Sequence, residues 1–404
     1  MHEHLTILGI TLVILGYGFF SKLLAKYNIS GPMVFTFIGV LLSSLFLGDK
    51  PVTFNAEAVQ ITAEIALIVV LFSDAAALNL NKLKAKWSLP TRLLFVALPI
   101  TIVLTYFTAQ AFFPTEAPLY LLLLALILAP TDAALGKIVV SDKRIPETVR
   151  NTINVESGLN DGIVFPVLLT VLALISSNGA NGSEGWFGYI VQQISIGAIA
   201  GAFVGWTGAK LTQFTIGKSW IEHQYLNLIP VALAILSFYF AEYFHGNGYI
   251  SAFFAGLFLG NTSRTLRKNV EEFAESEGEL LIMISFLVFG LVFVPFMLPY
   301  LDLNTWIFAL LSLTLLRILP IVLSFGFFKL DIGTRIFIGW FGPRGIASIL
   351  YILVATHHLG STEGHEQIFA VASLTILLSI VLHGLSAKPL AILYSKHHKE
   401  KSEE

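Results

Sequence analysis

The stretch Asn154-Val155-Glu156-Ser157-Gly158-Leu159-Asn160-Asp161-Gly162 places two carboxylates, a serine and carboxamide side chains in one segment, which runs on as Ile163-Val164-Phe165-Pro166-Val167-Leu168-Leu169. Read as a helix, it carries Glu156 and Asn160 on one face and Ser157 and Asp161 on the adjacent stripe, because residues four apart are neighbours. Asp161 and Ser157, with Thr131 from the preceding apolar segment, offer hard oxygen atoms. Oxygen-only coordination suits a hard alkali cation, by the same argument that applies to calcium and magnesium. Asp132 can reach the same region, as a ligand or as a hydrogen-bond partner of Asn160. Charged groups at membrane depth are costly and are rarely placed there without a task.

Other ionisable groups fall around this cluster. Arg344 needs a counter-charge at its depth, and Glu156 is the expected partner in a fixed ion pair that shapes the site. Removing one member of such a pair would leave a buried charge uncompensated. Arg317, just before Pro320, is expected as an accessory group, paired with an internal carboxylate or with helix-end carbonyls. Asp74, in Leu71-Phe72-Ser73-Asp74-Ala75-Ala76-Ala77, is expected to contribute to the ion site or to line its inner funnel, and Glu64 to lie in an outer vestibule. His383 reads as a satisfied packing residue. The pairs His357-His358 and His397-His398 do not build a closed coordination site. Glu156-Ser157-Gly158 follows no strand and forms no nucleophile elbow, so hydrolase chemistry is not indicated. Gly197, Gly201 and Gly205 repeat a small residue every four positions and mark close helix packing.

The elements that position these groups must span lipid. Hydrophobic residues make up 55% of the 404-residue chain, charged residues only 12%, and mean hydropathy is +0.79. A soluble chain carries about 25% charged residues. Recurrent apolar runs therefore indicate an all-α polytopic membrane protein. The chain has no cysteine, which excludes disulfides and thiolate sites, and a net charge of −2 gives no sign of a nucleic-acid partner. No basic region precedes the first apolar run, so that run reads as a span and not as a cleaved signal. Predicted spans cover 5–25, 31–48, 59–80, 89–113, 117–140, 148–176, 186–211, 225–244, 248–261, 276–298, 304–327, 333–356 and 365–392. Residues 395–404 form a short tail.

Basic residues give the orientation. With the N-terminus outside, Lys50 alone falls on the outer side, and Arg317 and Arg344 lie in the membrane. Every other Lys and Arg, among them Lys82, Lys84, Lys86 and Lys329, falls on the cytoplasmic side, which predicts a cytoplasmic C-terminus. The first six and last six spans then form an inverted repeat. In that scheme the fifth span, with Ala129-Pro130-Thr131-Asp132, matches the twelfth, with Gly342-Pro343-Arg344-Gly345. Proline removes a helical donor, and paired interrupted helices in matching halves point to a substrate site near the midplane.

These residues resemble the cation–proton antiporters, in particular the electroneutral sodium/proton exchanger branch that includes the NhaP antiporters. Thr131-Asp132, Asn160-Asp161 and Pro343-Arg344-Gly345 are similar to that family's three motifs, in order and spacing. Two departures are visible. Ala133 stands where many relatives have proline, and no large regulatory cytoplasmic domain is present in this sequence. The resemblance implies that Asp161 binds Na⁺ (or Li⁺) and H⁺ in competition, with Na⁺ held at Asp161, Thr131 and Ser157. Asp132, Asn160 and Asp74 would assist, and Glu156 would pair with Arg344. It implies a secondary transporter and not an enzyme, with no cofactor beyond the transported ions. It further implies a homodimer in a prokaryotic plasma membrane. A core containing 59–176 and 276–392 would move against a dimerisation part containing 5–48 and 186–261. K⁺/H⁺ exchange on the same residues is the alternative, followed by a sodium-coupled solute symporter.

Overall fold

The computed structural model describes residues 2–46, 57–78, 80, 88–176, 186–326 and 330–403. Among the described residues every regular element is helical. The chain opens with α1 (His2–Lys26), α2 (Gly31–Phe46) and α3 (Glu57–Ala77). α4 (Ser88–Arg92) continues through a π-helical turn, Leu93–Ala97, into α5 (Leu98–Phe112). α6 (Pro118–Ile127) and α7 (Ala133–Ser141) are the halves of one interrupted segment. α8 (Glu147–Ser176) carries the two polar stripes without a break. Next come α9 (Trp186–Gly217), α10 (Leu228–Tyr243) and α11 (Gly248–Thr262). α12 (Arg264–Val288) runs through a second π turn, Phe289–Phe293, into α13 (Val294–Met297). α14 (Leu303–Leu313) and α15 (Leu315–Ser324) precede a second interrupted segment, α16 (Ile332–Trp340) and α17 (Ile346–Leu359). α18 (Glu366–Glu403) closes the chain.

Helices lie on every predicted stretch, and among the described residues seven are long and apolar enough to cross a membrane. Their ends are capped where the sequence supplies short polar side chains. Asn247, Asp302 and Asp331 accept from the main-chain N–H groups of Ile250, Thr305 and Thr334 at 3.0, 2.7 and 3.2 Å, which satisfies donors that a helix start leaves open. Gly360, at φ +66°, ends α17 in the left-handed conformation, where glycine meets no Cβ penalty.

Two boundaries differ from expectation. α12 begins at Arg264, well before the predicted span at 276. Its first turns are charged yet amphipathic: Leu266 and Val270 are buried while Arg264, Lys268 and Glu272 are exposed, so helix formation precedes membrane entry. The tail after residue 394 continues α18, because its Lys- and Glu-rich sequence contains no helix breaker. The sidedness expected of Lys50, Lys82, Lys84, Lys86 and Lys329 falls outside the described residues.

The chain forms two compact units. One comprises Met1–Val59, Arg92–Ser157 and Ile282–Glu404; the other comprises Gln60–Thr91 and Gly158–Leu281. The boundary between them passes through α8 between Ser157 and Gly158, and it is distinct in kind from the expected core and dimerisation parts. Compactness follows close packing, whereas the expected parts are defined by relative motion.

In the second unit the short helix α11 is fixed by small residues. A Cβ on Gly201 or Gly205 of α9 would strike the main-chain oxygens of Ser251 and Ala255. A Cβ on Gly256 or Gly260 of α11 would strike those of Phe72 and Ala76 in α3. Phe72, Ala209, Ala252 and Leu259 fill the surrounding core. In the first unit, the interrupted segments α6/α7 and α16/α17 supply the organising feature.

Candidate functional site

The two interruptions are stitched to each other by hydrogen bonds. Residues 128–132 leave the helix after α6, and 341–345 leave it after α16. Unwound backbone away from water must find partners. Asp132 N–H donates to Pro343 O at 2.8 Å. The Asp132 carboxylate accepts from Ile346 N–H at 2.8 Å, at the start of α17. Arg344 Nη1 donates to Pro130 O at 3.1 Å, just beyond the end of α6, and Ser348 Oγ donates to Ile127 O at 2.7 Å. An anion thus sits at a helix N-terminus and a cation beside a helix C-terminus, each complementing the local dipole. Gly345 makes this approach possible, because a Cβ there would occupy the place of Asp132 Oδ2.

Thr131 and Ser157 lie side by side, with Thr131 Oγ1 and Ser157 Oγ 3.0 Å apart, and both are buried. Two of the oxygen ligands expected from sequence are therefore neighbours. The expected ion pair is not formed as predicted. Glu156 Oε1 accepts from Arg317 Nη2, not from Arg344. Both partners of this bridge are almost fully buried. The reason lies in the second interruption: a Cβ at Gly342 would collide with the Arg317 guanidinium, so the absent side chain makes the guanidinium's seat. Arg344 is instead spent on Pro130 O through its side chain and on Ser379 Oγ through its main-chain N–H, at 2.6 Å. Gly342, Gly345, Ser348 and Ser379 complete the crossing. Their sequence signal is a small or polar residue at a helix break or inside an apolar helix.

In the second unit, Asp161 and Asn160 are buried and Asp74 is half-buried. α3 packs against α8 at Gly158, where a Cβ would lie 3.3 Å from Leu78 Cδ2 and 3.9 Å from the Asp74 carbonyl oxygen. This contact brings the Asp74 turn against the helix that carries Asp161. A cavity of about 10 Å³ reaches Asp161 and Gly162, room for one water-sized guest. Its other walls are Leu71, Phe165, Pro166, Tyr249, Ile250, Phe253 and Phe254. Gly162 leaves space for the Phe253 ring, whose atoms a Cβ would meet. His383 is satisfied at both ring nitrogens, by Ser379 and by Trp340 O. Among the described residues no group of three or more His, Cys, Asp or Glu is placed to hold a metal ion.

Three carboxylates (Asp132, Glu156, Asp161) and two guanidinium groups (Arg317, Arg344) are buried among the described residues. Asp132 and Glu156 are committed within the crossing, the first to Ile346 and the second to Arg317.

Known proteins are similar to this chain in sequence and in fold. The family described as "Sodium/hydrogen exchanger, transmembrane" matches residues 9–393. The K(+)/H(+) antiporter NhaP of Alkalimonas amylolytica is 26% identical over 392 residues, which is 95% of this chain and 67% of that protein. The probable Na(+)/H(+) antiporter 2 of Methanocaldococcus jannaschii is 25% identical and is matched over 96% of both chains. The chain spans 47% and 37% of the length of relatives from Schizosaccharomyces pombe and Zygosaccharomyces rouxii. The solved sodium proton antiporter MjNhaP1 of Methanocaldococcus jannaschii shares the fold, with a TM-score of 0.78, 20% identity and coverage of 97% of this chain and 99% of that one. With the match running over nearly its whole length, the chain belongs to the sodium/hydrogen exchanger family of transmembrane proteins.

Proposed function

We propose that this protein is a secondary antiporter that exchanges one Na⁺ (or Li⁺) for one H⁺, with both ions competing for Asp161. The observation that carries the reading is a buried carboxylate, Asp161, that borders a small cavity from within an apolar helix. Asp132 and Glu156 take part in the crossing, whereas Asp161 is a buried carboxylate on the wall of a cavity of about 10 Å³ that can admit a water-sized guest. A carboxylate in a low-dielectric setting requires a counter-ion or a proton. Ser157, one helical turn away, and Thr131, hydrogen-bonded to Ser157, are the proposed further oxygens for Na⁺. Asn160 and Asp74 assist, and Asp132 serves by holding α17. Proton and cation exclude each other, and the empty, charged site crosses lipid poorly. Exchange of one charge for one charge is electroneutral.

The same reading includes alternating access in a homodimer, an inverted repeat of two six-helix halves, and an N-terminus outside a prokaryotic plasma membrane. K⁺/H⁺ exchange is the second reading. It is favoured by the relative from Alkalimonas amylolytica, whose name is that of a K⁺/H⁺ antiporter.

Proteoliposomes with an internal pH dye test the proposal, challenged with Na⁺, Li⁺ and K⁺ with and without an imposed potential. Na⁺- or Li⁺-driven alkalinisation insensitive to potential is expected, and the Asp161→Asn variant should show none. Strong voltage dependence would overturn the electroneutral stoichiometry, and full exchange by Asp161→Asn would overturn the site.

A further inference from the structure

α18 makes a hydrogen-bonded bridge across the second interruption. Ser379 and His383, one turn apart, are buried to 0% and 1% exposure. Arg344 N–H donates to Ser379 Oγ at 2.6 Å. Ser379 Oγ lies 3.1 Å from His383 Nδ1, and His383 Nε2 lies 2.8 Å from Trp340 O. Trp340 ends α16 and Arg344 lies within the unwound residues, so both ends of the bridge are main-chain groups at the break.

The chemistry of the groups orients every proton in the neutral ring. Trp340 O only accepts, so Nε2 carries the hydrogen. Nδ1 is then an acceptor. Ser379 O, 3.0 Å from Nδ1, has no proton to give, but the Ser379 hydroxyl has one. The hydroxyl therefore donates to Nδ1 and receives the Arg344 N–H on its lone pair. The relay runs in one direction, from Arg344 N–H through Ser379 and His383 to Trp340 O. A second tie from the same helix, Trp340 Nε1–H to Ser386 Oγ at 3.0 Å, fixes the end of α16.

We infer that Ser379 and His383 are positioning residues for the cation site, setting the second interruption in the register that the first one requires. The residues they hold are the residues that hold Thr131 and Asp132. Arg344 reaches Pro130 O, Pro343 O receives Asp132 N–H, and Ile346 N–H receives the Asp132 carboxylate. If α18 releases Trp340 and Arg344, these bonds lose their register. Thr131, next in the chain to both Pro130 and Asp132, moves with them. This inference rests on the reading of Thr131 as a cation ligand. It differs from a role in stability alone, because it predicts a change in cation affinity in a protein that remains folded.

The test is steady-state exchange by the full-length protein in proteoliposomes, with its thermal midpoint in detergent measured alongside. His383→Leu and Ser379→Ala should each raise the cation KM by about 10–100-fold, as loss of partners behind ion ligands does. The maximal rate and the thermal midpoint should change far less. His383→Gln, whose amide nitrogen can donate to Trp340 O, should move KM back toward the parent value. An unchanged KM in the folded variants overturns the inference, as does a fall in rate and stability with KM constant. Should His383→Leu fail to fold, Ser379→Ala and His383→Gln decide on the same criterion. A parent protein that exchanges no monovalent cation overturns the functional reading and the inference with it. Exchange by the parent with unaltered KM in the variants overturns the inference alone.

Discussion

The two compact units solve the problem of burial in lipid in opposite ways. In the first, the chain is unwound at two places; Asp132 and Arg344 satisfy backbone at α17 and beyond α6, and Glu156 pairs with Arg317 beside Gly342. In the second, helices stay whole and approach until glycine meets backbone, as α11 does on α9 and on α3. The first arrangement is directional, because each hydrogen bond fixes an angle as well as a distance. The second is steric and holds helices at one spacing without specifying any polar group. On the proposed function, register-sensitive chemistry is expected at the first unit's crossing. The comparison predicts that damage to the crossing changes ion affinity, and that damage to glycine packing changes stability alone.

The largest effect, read as stability, is expected at the buried ion pair of the crossing. Glu156→Gln preserves shape but leaves the Arg317 guanidinium without its carboxylate. Breaking one side of a buried pair costs about 3–5 kcal/mol. The variant should melt far below the parent, and Glu156→Gln combined with Arg317→Met should recover a large part of the loss, since the two sites are coupled. If the single variant melts with the parent, the crossing is not held by charge, and the contrast between the units fails.

A matched pair of alanines sharpens the contrast at smaller amplitude. Gly345→Ala places a methyl group where Asp132 Oδ2 now lies. The carboxylate must leave Ile346, so both stability and cation KM should suffer. Gly260→Ala places the same methyl group on Ala76 O. α11 must then back away from α3, straining the bonds by which Asn261 holds Leu78 O and Leu80 N–H at 2.9 and 3.0 Å. Overpacking of this kind costs about 1–3 kcal/mol in either place. Only Gly345→Ala should shift KM in the exchange assay. Equal KM shifts in the two variants would show that glycine packing also sets the ion site.

Much of this plan is legible in the sequence. Pro130 and Pro343 mark the interruptions because proline cannot donate to a helix. The four-residue spacings in 156–161 show which side chains share a face. What was not legible was the choice between two arginines. Both lie at a depth where a counter-charge is needed, and that need was readable. The seat of Arg317 depends on α15 meeting the 341–345 interruption, a contact between residues far from Glu156 in the chain. The missing Cβ of Gly342 creates that seat, and local patterning registers it only as a small residue before a proline. The early start of α12 escapes hydropathy for a different reason. Hydropathy reports where lipid begins, whereas helix formation in Arg264–Glu279 follows propensity and one apolar stripe. The bridge from α18 was partly visible, as a serine and a histidine one turn apart in an apolar helix, but its partners come from another segment.

The smallest expected effect comes from an ion pair of similar chemistry placed in water. Asp142 and Arg144 lie in the connection between α7 and α8, and Arg144 Nη2 and Nε reach Asp142 Oδ2 at 2.6 and 3.1 Å. Their hydrogen bonds hold the Asp142 carboxyl below its ordinary value of 3.8. A carboxyl group whose value is lowered by folding stabilises the fold fully above its unfolded value, and that contribution is lost as pH falls through the lower, folded one. The contribution is therefore present at neutral pH and disappears only in acid, below about pH 4. Solvent screening makes it small, since exposed pairs contribute little. Arg144→Gln should leave the neutral-pH melting temperature nearly unchanged and flatten the acid limb of a melting-temperature titration. Glu156→Gln should lower the melting temperature at neutral pH by a wide margin. If the exposed pair proved as costly to break as the buried one, then burial would not be what gives the Glu156–Arg317 bridge its weight, and the division between a polar crossing and a packed apolar unit would have to be drawn on other grounds.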